Sequence, residues 1–385
     1  MRKWLLAAAF SAAAWIAHAD PRVPVSDDTV VESLPVVAGW SSVQREMRRQ
    51  LTQKQSDPAA AVKAANSYLD LARDQGDARY AGYAMGALQA WQDVPESQTP
   101  AQVLVMRATV AQFLHDFERA ESNLRAALAR EPHDAQAWIT LATVLRVRGR
   151  LAESEAACRS LGRAGPALYA IACIAENQAL RGQYDEARSA FDELLAAPTL
   201  AHPSRADTRQ WLLTSLAELE ELAGRPAQAD AAYRKAVATQ RSGYLLLSYS
   251  DFLQRTGRHA EVPALLAQEP RSDAVLLRMA IASTGEPRET YAKELAQRFD
   301  AAALRPGTAA LHAREEAMFA LDVQGDRRRA LELARLNVRL QREPIDFLLY
   351  ARAAVAAGDG AARADVVAQM NALGLKDSRV NEVLR

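Results

Sequence analysis

The side chains able to do chemistry are few in this chain and poorly spaced for it. Its six histidines are dispersed, no two at the spacing a metal site needs, and His133 stands in the turn-like run Glu131-Pro132-His133-Asp134. No His-Glu-x-x-His, Gly-x-Ser-x-Gly, phosphate-cradling loop or Gly-x-Gly-x-x-Gly occurs. The acidic pairs Glu220-Glu221 and Glu315-Glu316 have the residue type of a hydrolytic couple. Neighbours on a helix point about 100° apart, so they do not face each other across a bond and read as solvated faces. Gly358-Asp359-Gly360 reads as a helix-ending turn, not a phosphate loop. The expectation is a protein that is not an enzyme and carries no metal and no cofactor.

Cys158 and Cys173 lie fifteen residues apart. In an oxidising compartment they pair if their Cα atoms come within about 7 Å, and closing so short a loop contributes about 3 kcal/mol in the chain-entropy model. The other reading is two small buried apolar side chains. Without a Cys-x-x-Cys, redox and metal roles are disfavoured.

The N-terminus points to such a compartment. Arg2 and Lys3 precede an apolar run over residues 4–16, and Ala17-His18-Ala19 forms a cleavage site before Asp20, the three parts of a secretory signal. The run is short for a bilayer span. Position 20 carries no cysteine for a lipid, and no later stretch of eighteen apolar residues follows. A periplasmic or secreted product with no membrane span is expected. Lys and Arg number 47 against 47 Asp and Glu; loss of Arg2 and Lys3 leaves a slight acidic excess, which disfavours nucleic acid as a partner.

Whatever function remains must come from the elements. Hydrophobic residues make up 49% of the chain and aromatics only 6%, so the apolar mass is largely Ala and Leu, good helix formers. Gly149, Gly182, Gly224, Gly257, Gly325 and Gly358 each follow one amphipathic stretch and precede another, three of the gaps being 33 residues. Such a period means repeats. Each glycine stands where a helix ends in the left-handed conformation. Pro132, Pro166, Pro198, Pro270 and Pro344 close the second helix, giving a helix, turn, helix unit of about 34 residues.

With these positions in place, the sequence resembles the tetratricopeptide repeat family. The unit from Ala101 supplies Leu104, Ala108, Phe117, Ala120, Leu124, Ala127 and Pro132; the unit from Ala135 supplies Trp138, Leu141, Ala142, Leu145, Gly149 and Pro166. Units from Leu168 and Gln210 carry Ala175, Gly182, Tyr184, Ala187 and Phe191, and Leu213, Leu216, Ala217, Gly224, Ala229, Tyr233 and Ala236. Small residues let the paired helices cross closely, and the aromatic fills the gap to the next hairpin. Weaker units fall at 62–95, 243–270, 271–304, 311–343 and 344–376. The resemblance implies an all-α fold, a right-handed α-α superhelix of about nine hairpins over 62–376. A tail at 377–385 follows it. Residues 20–58, with Pro21, Pro24, Pro35 and Gly39, read as an extended lead and a capping helix near 41–55. His115 takes a turn position usually held by Gly, and Pro263 makes the second helix of its unit start late or kink. Arg305-Pro306-Gly307 reads as a turn between units.

In such a fold the first helix of each unit lines the concave face, and the family register assigns a partner-binding groove to it. The N-terminal part supplies Gln112, Gln136, Thr143 and Arg146. The middle supplies Tyr169, Glu176, Trp211, Thr214, Glu218 and Glu221, followed by Tyr244, Asp251 and Gln254. Acids with aromatic sides suit a protein or peptide partner of basic or apolar character; the alternative for Trp211 and Tyr244 is packing between hairpins. Glu218→Lys with Asp251→Lys is expected to weaken a basic guest and leave helicity intact. The resemblance implies a non-catalytic scaffold or adaptor in an envelope complex. Alternatives are a glycan or small-ligand binder, or an accessory part of a cell-wall enzyme.

Overall fold

The computed structural model describes residues 57–303 and 312–385, all within the unit running from Gln50 to Arg385. The signal sequence, the lead segment with its capping helix and the Arg305-Pro306-Gly307 turn lie outside the described residues. Among the described residues the fold is all-helical, without strands, and no helix is long and apolar enough to cross a membrane.

Among the described residues nine hairpins follow one another. They are α1 (Pro58–Gln75) with α2 (Arg79–Ala87), α3 (Ala101–Phe113) with α4 (Phe117–Arg130), and α5 (Ala135–Val147) with α6 (Leu151–Ala164). Next come α7 (Ala167–Leu180) with α8 (Tyr184–Ala196), α9 (Ala206–Leu222) with α10 (Pro226–Thr239), and α11 (Gly243–Arg255) with α12 (Val262–Leu266). The last are α13 (Asp273–Ala282) with α14 (Gly285–Ala303), α15 (Ala313–Met318) with α16 (Arg327–Leu340), and α17 (Pro344–Ala356) with α18 (Gly360–Leu373). A π-helical stretch, Phe319–Gln324, extends α15. The first hairpin begins at Pro58, where Asp57 caps α1 by accepting from the N–H groups of Ala59 and Ala60. Residues beyond 376, which the repeat count leaves as a tail, form α19 (Ser378–Leu384), capped by Asp377.

The repeat residues act as their types require. All six turn glycines have positive φ, from 69° to 83°. His115 occupies the equivalent place at φ 60°, which costs about 1 kcal/mol; its ring stacks on Phe117 at 5.7 Å. Ala108, Ala120, Ala142, Ala175, Ala217 and Ala229 are fully buried where helices cross, and Phe191 and Tyr233 fill the space between hairpins. Pro263 lies in the first turn of a five-residue α12 that begins late, after a 3-10 turn. Cys158 and Cys173, both buried, form a disulfide with Cα atoms 5.6 Å apart, tying α6 to α7.

Local pattern does not account for what the later hairpins touch. The last hairpins and α19 return to the turn edge of hairpins two to five. The Arg342 N–H donates to the Val147 carbonyl at 2.7 Å, and the Lys376 N–H to that of Leu180 at 2.8 Å. The Ser378 hydroxyl donates to the Leu222 carbonyl at 2.6 Å. Val147, Leu180 and Leu222 close α5, α7 and α9, so the returning segment satisfies carbonyls that a helix end leaves without a partner. The returning chain passes so close that a Cβ on Gly224 would stand 2.9 Å from the Ser378 oxygen. At the other end, a Cβ on Gly76 would fall 2.3 Å from that of Ser272, so the first hairpin abuts the start of α13.

Candidate functional site

The inner face is built by the first helix of each hairpin, and its polar residues meet one repeat apart. Arg146 on α5 pairs with Glu176 on α7, which also accepts from the Ser215 hydroxyl on α9 at 2.8 Å. On α9, Glu218 accepts from the Tyr244 and Ser248 hydroxyls of α11 at 2.6 and 3.2 Å. Glu221 is held by Arg255 of α11, by the Tyr233 hydroxyl at 2.7 Å and by Arg379 of α19 at 3.2 Å. Asp251 on α11 takes both arms of Arg278 from α13, at 2.9 and 2.8 Å, while Gln254 donates to the Arg278 carbonyl. Arg314 on α15 joins Asp346 and Glu343 at the start of α17.

In this ladder most of the carboxylates expected to face a basic guest are engaged within the chain. Glu176, Glu221 and Asp251 are each matched by an arginine of the chain itself, because an acid in a half-dry concavity without a counter-ion is costly. Arg278, 6% exposed, shows the balance: burial would lower its pKa, and Asp251 raises it above the usual arginine value. Burial likewise favours the neutral Glu221 carboxyl, but Arg255 and Arg379 outweigh it and hold its pKa below the ordinary value. Thr214 is buried and bonded to Gln210 instead of lining a groove. Thr143 is half-buried and its hydroxyl donates to the Ile139 carbonyl. Gln136, exposed, bonds Thr140, and Gln112 is half-buried beside the His115 turn.

Glu218 stands apart. Among the described residues no cation pairs with it, and its partners are two hydroxyls. Burial, reinforced by Glu221, Glu176 and Glu343, pushes its carboxyl up to about 7 against the opposing Tyr244 hydrogen bond. Tyr244 itself is 64% exposed. Tyr169 and Trp211 pack at 6.0 Å, both half-buried, so Trp211 packs between hairpins whereas Tyr244 presents its ring to solvent. Among the described residues no group of three or more His, Cys, Asp or Glu side chains is placed to hold a metal ion.

Sequence reasoning named Arg146 but missed Arg255, Arg278, Arg314 and Arg379, which complete the ladder. A signal existed for three of its pairs: Arg255, Arg278 and Arg314 stand 34, 27 and 32 residues from Glu221, Asp251 and Asp346, about one repeat each. Arg379 gave none, being 158 residues from Glu221.

The family description "Tetratricopeptide repeat" matches residues 105–168, covering hairpins whose glycine turn, small crossing residues and stacking are described above. This stretch is a tetratricopeptide repeat. Among solved structures, the chain is similar to a thermophilic TPR protein of Thermus thermophilus, with 20% identity over 51% of this chain and 99% of that one, TM-score 0.40. It is also similar to PilF of Pseudomonas aeruginosa, 20% identical over 54% and 92%, TM-score 0.37. PilW, a type IV pilus biogenesis factor, is 21% identical over 53% and 91%, TM-score 0.37. No curated protein matches the sequence.

Proposed function

We propose that this chain is a non-catalytic scaffold of the bacterial periplasm or cell envelope that holds a segment of a partner protein on its inner face, around Tyr244. One observation carries the reading: Tyr244 is a large, mostly exposed aromatic fixed by its hydroxyl to Glu218, the one inner-face carboxylate of those expected in the groove that has no arginine. A ring already immobilised loses little entropy when a guest covers it. Because Glu176, Glu221 and Asp251 are matched within the chain, the guest favoured is apolar with hydrogen-bonding groups, not strongly basic. The N-terminal basic, apolar and Ala-x-Ala sequence supports export.

The test places a photo-crosslinking phenylalanine analogue at position 244 in cells producing the full chain. One protein adduct is expected, its linked peptide rich in apolar residues, and Trp211→Ala should reduce its yield. The periplasmic extract should contain the chain beginning at Asp20. Adducts that are unaffected by Trp211→Ala, or a chain retained in the cytoplasm with Met1 in place, would contradict the reading. The paired Tyr169 and Trp211 rings also suit a sugar ring, so cell-wall oligosaccharides added before illumination separate the two: loss of the adduct favours the glycan.

A further inference from the structure

The second-helix layer, away from the inner face, holds a basic trough that crosses the seam where the array returns on itself. Between α16 and α18 lies a cleft of about 420 Å³, walled by Arg335 and Arg339 of α16 and by Arg342 just past its end, with Val338 and Leu373 also lining it. A second cleft, about 540 Å³, shares Leu373 and continues along Gly149, Arg150 and Arg181 of hairpins three and four. The two halves come from distant parts of the chain and are joined by the Arg342 to Val147 backbone bond.

The charges in the first cleft are out of balance. Arg335 is met by Asp359 at 2.8 Å, and Asp365 is satisfied by neutral donors, the Tyr350 hydroxyl and the Gln369 amide, each at 2.8 Å. Arg339 and Arg342 have no carboxylate within ion-pair distance among the described residues; Arg342 only donates its Nε to the Val338 carbonyl. Arg146, Arg255, Arg278 and Arg314, by contrast, each have a carboxylate partner. Two unmatched guanidiniums over an apolar floor are a binding edge for carboxylates, which arginine engages in bidentate fashion.

We infer that this trough docks an acidic segment of a partner protein in extended form, with Asp or Glu on Arg339 and Arg342 and apolar side chains on Val338 and Leu373. The apolar floor and the carboxylates of Asp365 and Glu153 along the trough favour a peptide of mixed acidic and apolar character over a phosphate polymer, whose uniform charge they would repel.

The test uses the full chain and fluorescence anisotropy with a labelled peptide of alternating Glu and Leu, beside its Gln and Leu counterpart. The Glu peptide should bind, weaken with added salt, and lose roughly five- to tenfold in affinity in Arg339→Ala with Arg342→Ala. Arg363→Ala, an exposed arginine outside the cleft, should leave binding unchanged. Circular dichroism checks that the double variant is folded; if it is not, Arg339→Gln, a change at an exposed side chain, should still weaken binding about threefold. Absence of binding, equal binding of the Gln peptide, indifference to the arginine changes, or stronger binding of inorganic polyphosphate than of the Glu peptide would each overturn the inference.

Discussion

Arg379, in the last helix, reaches the carboxylate of Glu221 on α9 at 3.2 Å, 158 residues back along the chain. The same guanidinium clamps Asp377 through both arms, at 2.9 and 2.7 Å. One side chain therefore anchors the end of the array to its middle while matching two nearly inaccessible acids.

Removing that anchor should have a local and a global effect. Arg379→Ala leaves buried Asp377 without its cation, though Glu221 keeps Arg255, and should cost about 3 kcal/mol. Urea unfolding measures the loss. Hydrogen exchange should show faster exchange at Lys376 and along α19, with α5 and α7 protected as before.

Asp251 behaves differently from what the sequence suggests. Because it holds buried Arg278 by two bonds, Asp251→Lys sets two cations together in the interior and should cost about 4 kcal/mol. The exchange of Glu218 and Asp251 for Lys is then no neutral probe of ligand charge. Glu218→Lys alone, measured by thermal unfolding, should be the milder of the two single changes.

Stability should respond to pH with opposite signs at two neighbouring glutamates. The Glu218 carboxyl is raised from 4.5 to about 7, so its favourable contribution is complete below the unfolded value and lost as pH rises through about 7. Glu218→Gln should therefore melt above the wild type at about pH 8, the gap closing toward about pH 5. Glu221, whose carboxyl is lowered by Arg255 and Arg379, contributes above its unfolded value and loses that contribution as pH falls through its folded one. In Glu221→Gln the acid limb of the melting profile should be shallower and the neutral Tm lower.

Two turn glycines separate the cost of backbone from the cost of contact. Gly257 has φ 76° with nothing near a Cβ, so Gly257→Ala should cost about 1 kcal/mol. Gly224 has φ 71° and lies under Ser378; Gly224→Ala should cost about 1 kcal/mol more, because Ser378 must withdraw from the Leu222 carbonyl. Chemical denaturation of the two variants gives the difference directly. Equal losses would mean the returning segment contributes little at this point.

The hairpins were legible because their signals are local. Gly149 and Gly182 end helices for a reason contained within a few residues, the freedom of glycine at positive φ. Ala142 and Ala175 mark crossings between helices adjacent in sequence. The family register named Tyr169, Trp211, Glu218 and Tyr244 on the inner face, yet it treated Glu221 and Asp251 as free because it considered one face at a time. Their arginines sit one repeat on, and a search at that interval would have found Arg255 and Arg278.

The sequence by itself determined the unit: which stretches are helices, where they turn, and which faces they hide, since each depends on neighbours within about 34 residues. Tertiary structure alone decided what the later hairpins meet. The bonds from Arg342, Lys376 and Ser378 to the ends of α5, α7 and α9 depend on the small rotation between successive hairpins summed over many of them. No single residue encodes that sum. The matched acids of the inner face in part, and the basic trough across the seam wholly, follow from this accumulated geometry, because charges far apart in sequence become neighbours only once the turn edges and the returning chain are in contact.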